Sequence, residues 1–290
     1  MATTTVVAEV AATREAGGRL SDDLRALRMV WQRELIRFGR DRLRIITSLM
    51  QPVLFLFILG TGLSPVLGAS GSSGFNFRTF MYPGVIGMTV LFTAIFSAIS
   101  IVWDREFGFL REMLVAPVRR WSLVLGKCLG GATVATLQGL IMLALAGAVG
   151  VPYSPVMLIV LVALMALTAF ALTCFGVMLA ARIGEVQSFQ AVMQFFVLPM
   201  FFLSGAVFPL NRLPGWLGAL TKIDPLTYAV DPLRRTVFAH LHLAPRVQHL
   251  LNPGLTWGGW RLPTVLEVAI VALLSLLMLS VAIRQFSKPE

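Results

Sequence analysis

Six apolar runs dominate the chain, from about Ile45 to Leu67, Met81 to Trp103, Leu125 to Val149, Pro155 to Ala181, Phe189 to Phe208 and Leu262 to Ile283. Crossing a bilayer takes about 20 mostly apolar residues in a helix, with every backbone polar group bonded inside it. Each run meets that length, so the pattern predicts six spans.

The segments between the runs carry patterns of their own. Leu24, Leu27, Trp31, Leu35 and Phe38 recur at three and four residues, with Arg33, Arg37, Arg40 and Arg44 on the other side. Ser21 suits an N-cap, and Asp22 and Asp23 suit the positive first turn. The pattern predicts a basic amphipathic helix over 21–44, lying in the membrane interface and feeding the first span. A solvated helix is the plainer alternative. Residues 1–20 read as a disordered tail, and no signal peptide is expected because 1–44 is charged and lacks an apolar core with a cleavage site.

After the second span, Glu106 to Val115 reads as a short helix that Pro117 stops. Phe107, Leu110 and Met113, interleaved with Arg105, Arg111 and Glu112, make it more apolar than a free loop needs. The mixture suits docking onto another protein, or packing on its own spans. Between the fifth and sixth spans, Asn211 suits a cap for a helix from Pro214, and Pro225 opens another through Tyr228 and Arg235. Both are too short to cross and are expected to dip into the outer leaflet. Gly254 to Trp260 reads as an interfacial aromatic belt.

Composition agrees with a lipid solvent. Of 290 residues, 57% are hydrophobic and 13% charged, at a mean hydropathy of +0.81. A soluble domain carries about 25% charged residues. The balance is basic, 24 Lys and Arg against 14 Asp and Glu. With the N-terminus inside, 17 of those cations fall on the cytoplasmic side and 7 outside, which places both termini in the cytoplasm. The cations therefore set orientation, and no nucleic-acid partner is expected. Cys128 and Cys174 read as free thiols in or beside spans.

Several chemistries are missing from the sequence. No phosphate-binding loop occurs, since Gly126-Lys127 is followed by Cys128. Three histidines, His240, His242 and His249, come without further metal ligands, and no nucleophilic triad is present. No catalytic residue, metal or cofactor is assigned to this chain. The interiors of the first five spans hold no ionisable residue, so ion coupling has only Glu267 in the sixth, expected to reach water or a nearby backbone. A gradient-driven carrier built on Glu267 is the competing class. Otherwise any transport draws its energy from a partner.

Polar stripes run along three spans. Gln187, Gln190 and Gln194 share one face with Leu198 and Phe201. Thr89, Thr93, Ser97 and Ser100 repeat the device, and Thr47, Ser48 and Gln51 precede Pro52, a predicted kink. Amides facing lipid would go unpaired, so these faces meet protein or a watery cavity. Helix packing and a substrate path satisfy that equally.

Three stretches resemble the ABC-2-type transporter permease family. They are Arg105-Glu-Phe-Gly-Phe-Leu-Arg-Glu-Met-Leu-Val-Ala-Pro-Val with Trp121 and Gly126-Lys127 after it, Phe202-Leu-Ser-Gly-Ala-Val-Phe-Pro, and Asp224-Pro-Leu-Thr-Tyr-Ala-Val-Asp-Pro-Leu-Arg234. The resemblance implies an all-α integral membrane fold over 45–290: six spans, an N-terminal interfacial helix, a cytoplasmic coupling helix and re-entrant outer helices. It implies a homodimer of permease halves and two copies of a separate subunit that holds ATP and Mg, in the plasma (inner) membrane of a bacterium. ATPase coupling falls on Arg105, Glu106, Phe107, Leu110, Glu112, Met113 and Pro117. Spans one, two and five form the path, with Gln51, Thr89, Thr93, Ser97, Gln190, Gln194 and Phe201, and the outer gate takes Pro209, Pro225, Tyr228 and Arg234. The expected cargo is an amphipathic, drug- or antibiotic-like molecule moving outward. A lipid-linked oligosaccharide or glycolipid is the alternative, and would want more aromatic stacking than Phe201 and its neighbours offer.

Overall fold

The computed structural model describes residues 20–64, 77–109, 118–210, 213–241, 254–257 and 259–287. Helix α1 (Leu20–Arg40) precedes five long helices: α2 (Arg42–Gly62), α3 (Phe77–Glu106), α4 (Arg120–Ala144), α5 (Pro155–Ala180) and α6 (Val186–Leu203). Two short helices, α7 (Gly215–Ile223) and α8 (Pro225–Ala239), and a hairpin of β1 (Thr256–Trp257) with β2 (Trp260–Arg261) lead into α9 (Thr264–Ser287). Helices α2 to α6 and α9 are each long and apolar enough to cross a membrane. They are the six runs of the sequence, with ends moved by a few residues.

Local chemistry explains the ends. The Asp41 carboxylate accepts from the Arg44 N–H at 3.0 Å and starts α2. Pro52 cannot donate within α2, and the chain widens to a π turn over Phe55–Leu59 just after it. Helix α6 ends where Gly205 takes a φ of +76°, a conformation that favours glycine. Asp224 caps α8, accepting from the Leu226 N–H at 3.1 Å ahead of Pro225 in the first turn.

Helix α3 is the centre of the bundle, enclosed by α2, α4, α5 and α8. Phe80, Met81, Tyr82, Ile86 and Leu91 are fully buried on it. Tyr82 Oη donates to the Met142 and Leu143 carbonyls at 3.1 Å, and Thr79 Oγ1 to the Val149 carbonyl at 2.7 Å. These bonds absorb polar ends that a fully enclosed helix could not leave unpaired.

Helix α1 lies along α4 with Leu27 and Trp31 of its apolar stripe against it, and the sequence reading of that stripe is corrected at Leu24. The side against the bundle buries Asp23, Val30 and Glu34, whereas Leu24 is 57% exposed. Gly126 and Gly130 of α4 are the reason. A Cβ on Gly126 would stand 2.9 Å from the Leu27 carbonyl oxygen, and one on Gly130 2.7 Å from Glu34 Cβ. Two glycines four apart let the helices touch backbone to backbone. Ser21 is not the cap either, because it lies inside the first turn beside Asp22 and Asp23. Helix α7 starts behind Pro214 without a side-chain cap, and Asn211 lies outside the described residues. The expected aromatic belt is the β1–β2 hairpin, with Trp257 and Trp260 exposed.

Candidate functional site: an ionic junction and an adjoining cavity

Where α1, α3 and α4 meet, one ammonium holds three partners. Lys127 Nζ donates to Glu34 Oε1 at 2.6 Å, to Asp104 Oδ2 at 2.6 Å and to Ser100 Oγ at 3.0 Å. Arg33 adds a second cation on Asp104 Oδ2 at 2.6 Å. Lys127, Glu34 and Asp104 are all buried, so the charges offset one another in a low-dielectric setting. Lys127 stands inside α4, and nothing in the sequence pattern brought it together with Glu34 and Asp104.

The next two residues tie in two more helices. Arg105 donates to the Ala181 and Ile183 carbonyls at 2.9 and 3.1 Å, neutralising the negative end of α5. Glu106 Oε2 accepts from the Val186 N–H at 3.2 Å, at the positive start of α6. Phe107 and Phe109 follow, both exposed. Of the segment expected to dock a partner, Leu110, Glu112, Met113 and Pro117 lie outside the described residues.

Beside the junction, α1, α2, α3, α4 and α6 enclose a cavity of about 380 Å3. Gln51, Thr93, Ser97 and Gln190 of the expected path line it, with Thr47 and Ser48. Gln138 of α4, which the sequence reading did not single out, organises the wall. Its Nε2 donates to Ser48 Oγ at 2.6 Å and its Oε1 accepts from Thr93 Oγ1, joining three helices. The only signal would have been an amide alone in an apolar span. The remaining wall departs from expectation, because Phe38, Phe92, Phe96 and Trp103 supply aromatic rings and Arg37 and Arg44 supply fixed charge.

Three expected path residues are elsewhere. Thr89 is buried inside α3 and donates to its own Val85 carbonyl at 2.9 Å. Phe201 is buried edge-on to Phe55. Gln194 and Gln187 are exposed on α6 and do not line the cavity.

At the opposite end of α3, the expected gate residues are held by separate partners. Tyr228 Oη donates to the Lys222 carbonyl at 2.6 Å, and its ring meets Trp257 edge-on. Arg234 donates to the Gly205 carbonyl and stacks over Phe80, 4.7 Å from the ring centre. Burial lowers its guanidinium to about 10, with Asp231 opposing, so it stays charged at neutral pH. Pro225 opens α8, and Pro209 is half-buried after the Gly205 turn. Glu267 does not reach water, contrary to expectation. It is fully buried, and its carboxylate accepts from Arg235 Nη2 at 2.9 Å, while Asp231 holds the same nitrogen at 2.6 Å. His240 Nδ1 stands 2.9 Å from the Thr236 carbonyl, and His242 and His249 lie outside the described residues.

The ABC-2 type transporter family matches residues 25–238, from α1 to the end of α8. The chain belongs to that family. A protein of Cyanophora paradoxa named as a transport permease is 28% identical to it over 205 residues, covering 70% of this chain and 71% of that relative. Nodulation protein J of Rhizobium leguminosarum bv. trifolii is 29% identical over 215 residues, covering 73% and 80%. An Escherichia coli protein named as a multidrug ABC transporter permease is 30% identical over 158 residues, covering 54% and 43%. The permease is therefore a multi-pass membrane protein and the membrane subunit of an ABC transporter, and its family implies a partner ATP-binding subunit.

Proposed function

We propose that this permease exports an amphipathic, hydrophobic molecule across a bacterial plasma membrane, with both termini cytoplasmic and ATP hydrolysed by a separate subunit. The cavity of about 380 Å3 carries the reading. It combines amides, hydroxyls and rings within one wall, as a site for a small amphiphile does. It also touches the junction where Asp104, Arg105 and Glu106 link α1, α4, α5 and α6. In this reading two ATPase copies engage the segment from Arg105 to Pro117 in a homodimer of permeases. Motion of that segment reaches four helices through three consecutive side chains. Pro209, Pro225, Tyr228 and Arg234 serve as the outer gate.

A drug- or antibiotic-like cargo is one version. The rings of Phe38, Phe92, Phe96 and Trp103 favour a second, a lipid-linked oligosaccharide or glycolipid, since sugars stack on aromatic faces. The nodulation protein among the relatives is compatible with either.

The test is reconstitution with the ATP-binding subunit of its transporter, and a screen of amphiphiles for stimulated ATP hydrolysis. Phe107→Ala is expected to abolish transport while the ATPase continues to turn over. Pumping on a pH gradient without any ATPase, lost in Glu267→Gln, would replace this reading with a gradient-driven carrier.

A further inference from the structure

Resting on the reading of the cavity as the substrate site, we propose that its ligand is an amphiphile with a phosphate-type anionic head, seated between Arg37 and Arg44. Both guanidiniums line the cavity. The one carboxylate in its wall, Glu34, is already held by Lys127 at 2.6 Å. Among the described residues Arg37 forms no ion pair, and its guanidinium rests 4.6 Å from the centre of the Trp103 ring. Arg44 donates to the Phe96 carbonyl at 3.2 Å, a neutral partner that leaves its charge in place. Two like charges thus share one partly enclosed space, the carboxylate beside Arg44, Asp41, stands outside its wall, and an anion in the space relieves their repulsion.

The approach has the same sign. Arg37 and Trp103 also form part of a second cavity, of about 510 Å3, which Arg33 and Arg40 line as well. Asp104, also in the wall of that second cavity, is taken up by Arg33 and Lys127. Arg37, Arg40 and Arg44, spaced three and four apart, therefore make the cationic track from one space into the next. Arg37 stands at Trp103 and Arg44 at Phe96, and farther along α2 and α3 the wall continues through Gln51, Pro52, Phe92 and Thr93. That order suits a charged head followed by an apolar tail. A guanidinium pairs its fork of N–H donors with phosphate oxygens in two parallel bonds, which an ammonium cannot do. The same field disfavours cationic amphiphiles.

The experiment uses the full chain in nanodiscs of neutral phosphatidylcholine, with a fluorescent dodecyl phosphate as the probe read by anisotropy. Unlabelled dodecyl phosphate is expected to displace it at least tenfold better than dodecyl glucoside or dodecyltrimethylammonium. Arg37→Gln and Arg44→Gln are each expected to weaken binding by about tenfold, the scale of one charge-assisted hydrogen bond. Arg37→Lys should recover part of it, which guards against a folding defect. Arg28→Gln, exposed on α1 and outside the cavity wall, should bind as the parent does. Equal displacement by the glucoside would overturn the charge selectivity while leaving the cavity reading intact. Absence of any chain-bearing ligand from the parent protein would remove the cavity reading itself. An equal loss in Arg28→Gln would assign the anion to a diffuse surface, as for a bilayer headgroup. Displacement by inorganic phosphate as strong as by dodecyl phosphate would make the ligand a free anion, and the amphiphile part would fall.

Discussion

At Lys127 a single ammonium is shared by two buried carboxylates, Glu34 and Asp104, and by the Ser100 hydroxyl. Removing it leaves two carboxylates to one cation, Arg33, which is 2.6 Å from Asp104 but 3.6 Å from Glu34. Breaking a buried pair by losing one member costs about 3–5 kcal/mol. Lys127→Met is expected to destabilise the protein by an amount of that order, read as a lower melting temperature in detergent. Lys127→Arg should lose less, and Lys127→Met combined with Glu34→Leu should recover most of the loss, because the surviving Arg33–Asp104 pair is balanced. A double variant no more stable than the single would show that the residues do not act as a unit.

The helix ends show how elements are joined. Helix α5 ends on Arg105, α6 begins on Glu106 and α8 begins on Asp224. Burial pushes the Asp224 carboxyl up to about 7, against cap hydrogen bonds from Leu226 and Thr227 that favour its ionised form. The folded state therefore binds this proton more tightly than the unfolded chain, whose carboxyl keeps its ordinary value of 3.8. Stability from this group is greatest below that value, falls as pH rises towards about 7, and is level above it. Melting temperatures measured between pH 5 and pH 8 should decline accordingly. Asp224→Asn, which keeps an acceptor for the α8 cap, should remove that part of the slope.

For the whole molecule, the question is what covers the outer faces of α2 and α6. Phe195 is 74% exposed, with Leu198 and Phe202 also exposed on α6 and Ile58 on α2. Gln190 and Gln194 are exposed on α6 too, and amides do not sit comfortably against lipid tails. A second permease half across this face meets both requirements. In the homodimer proposed above, Phe195→Arg is expected to give a monomer in native mass measurements from detergent, while Leu273→Arg on α9 leaves the dimer whole. The reverse result would move the interface to α9.

What the sequence determined by itself was local. Hydrophobic length sets a span, so six spans were legible, and so was the Pro225 start of α8. The fifth span, however, was read through Gly205 to Phe208, and only the structure ends α6 at Leu203. Gln51, Thr93, Ser97 and Gln190 were legible as faces that meet protein or a watery cavity, because an amide or hydroxyl in lipid needs company. The tertiary structure decided everything that depends on how one helix is rotated against another. Glu34 and Lys127 are 93 residues apart, and only the Gly126–Gly130 contact turns them towards each other. The same rotation turned Leu24 outward, gave Gln138 its two partners, and drew four aromatic rings and two arginines into the cavity. Periodicity within one helix names its faces, but which face meets which neighbour is set by the packing of all the helices together.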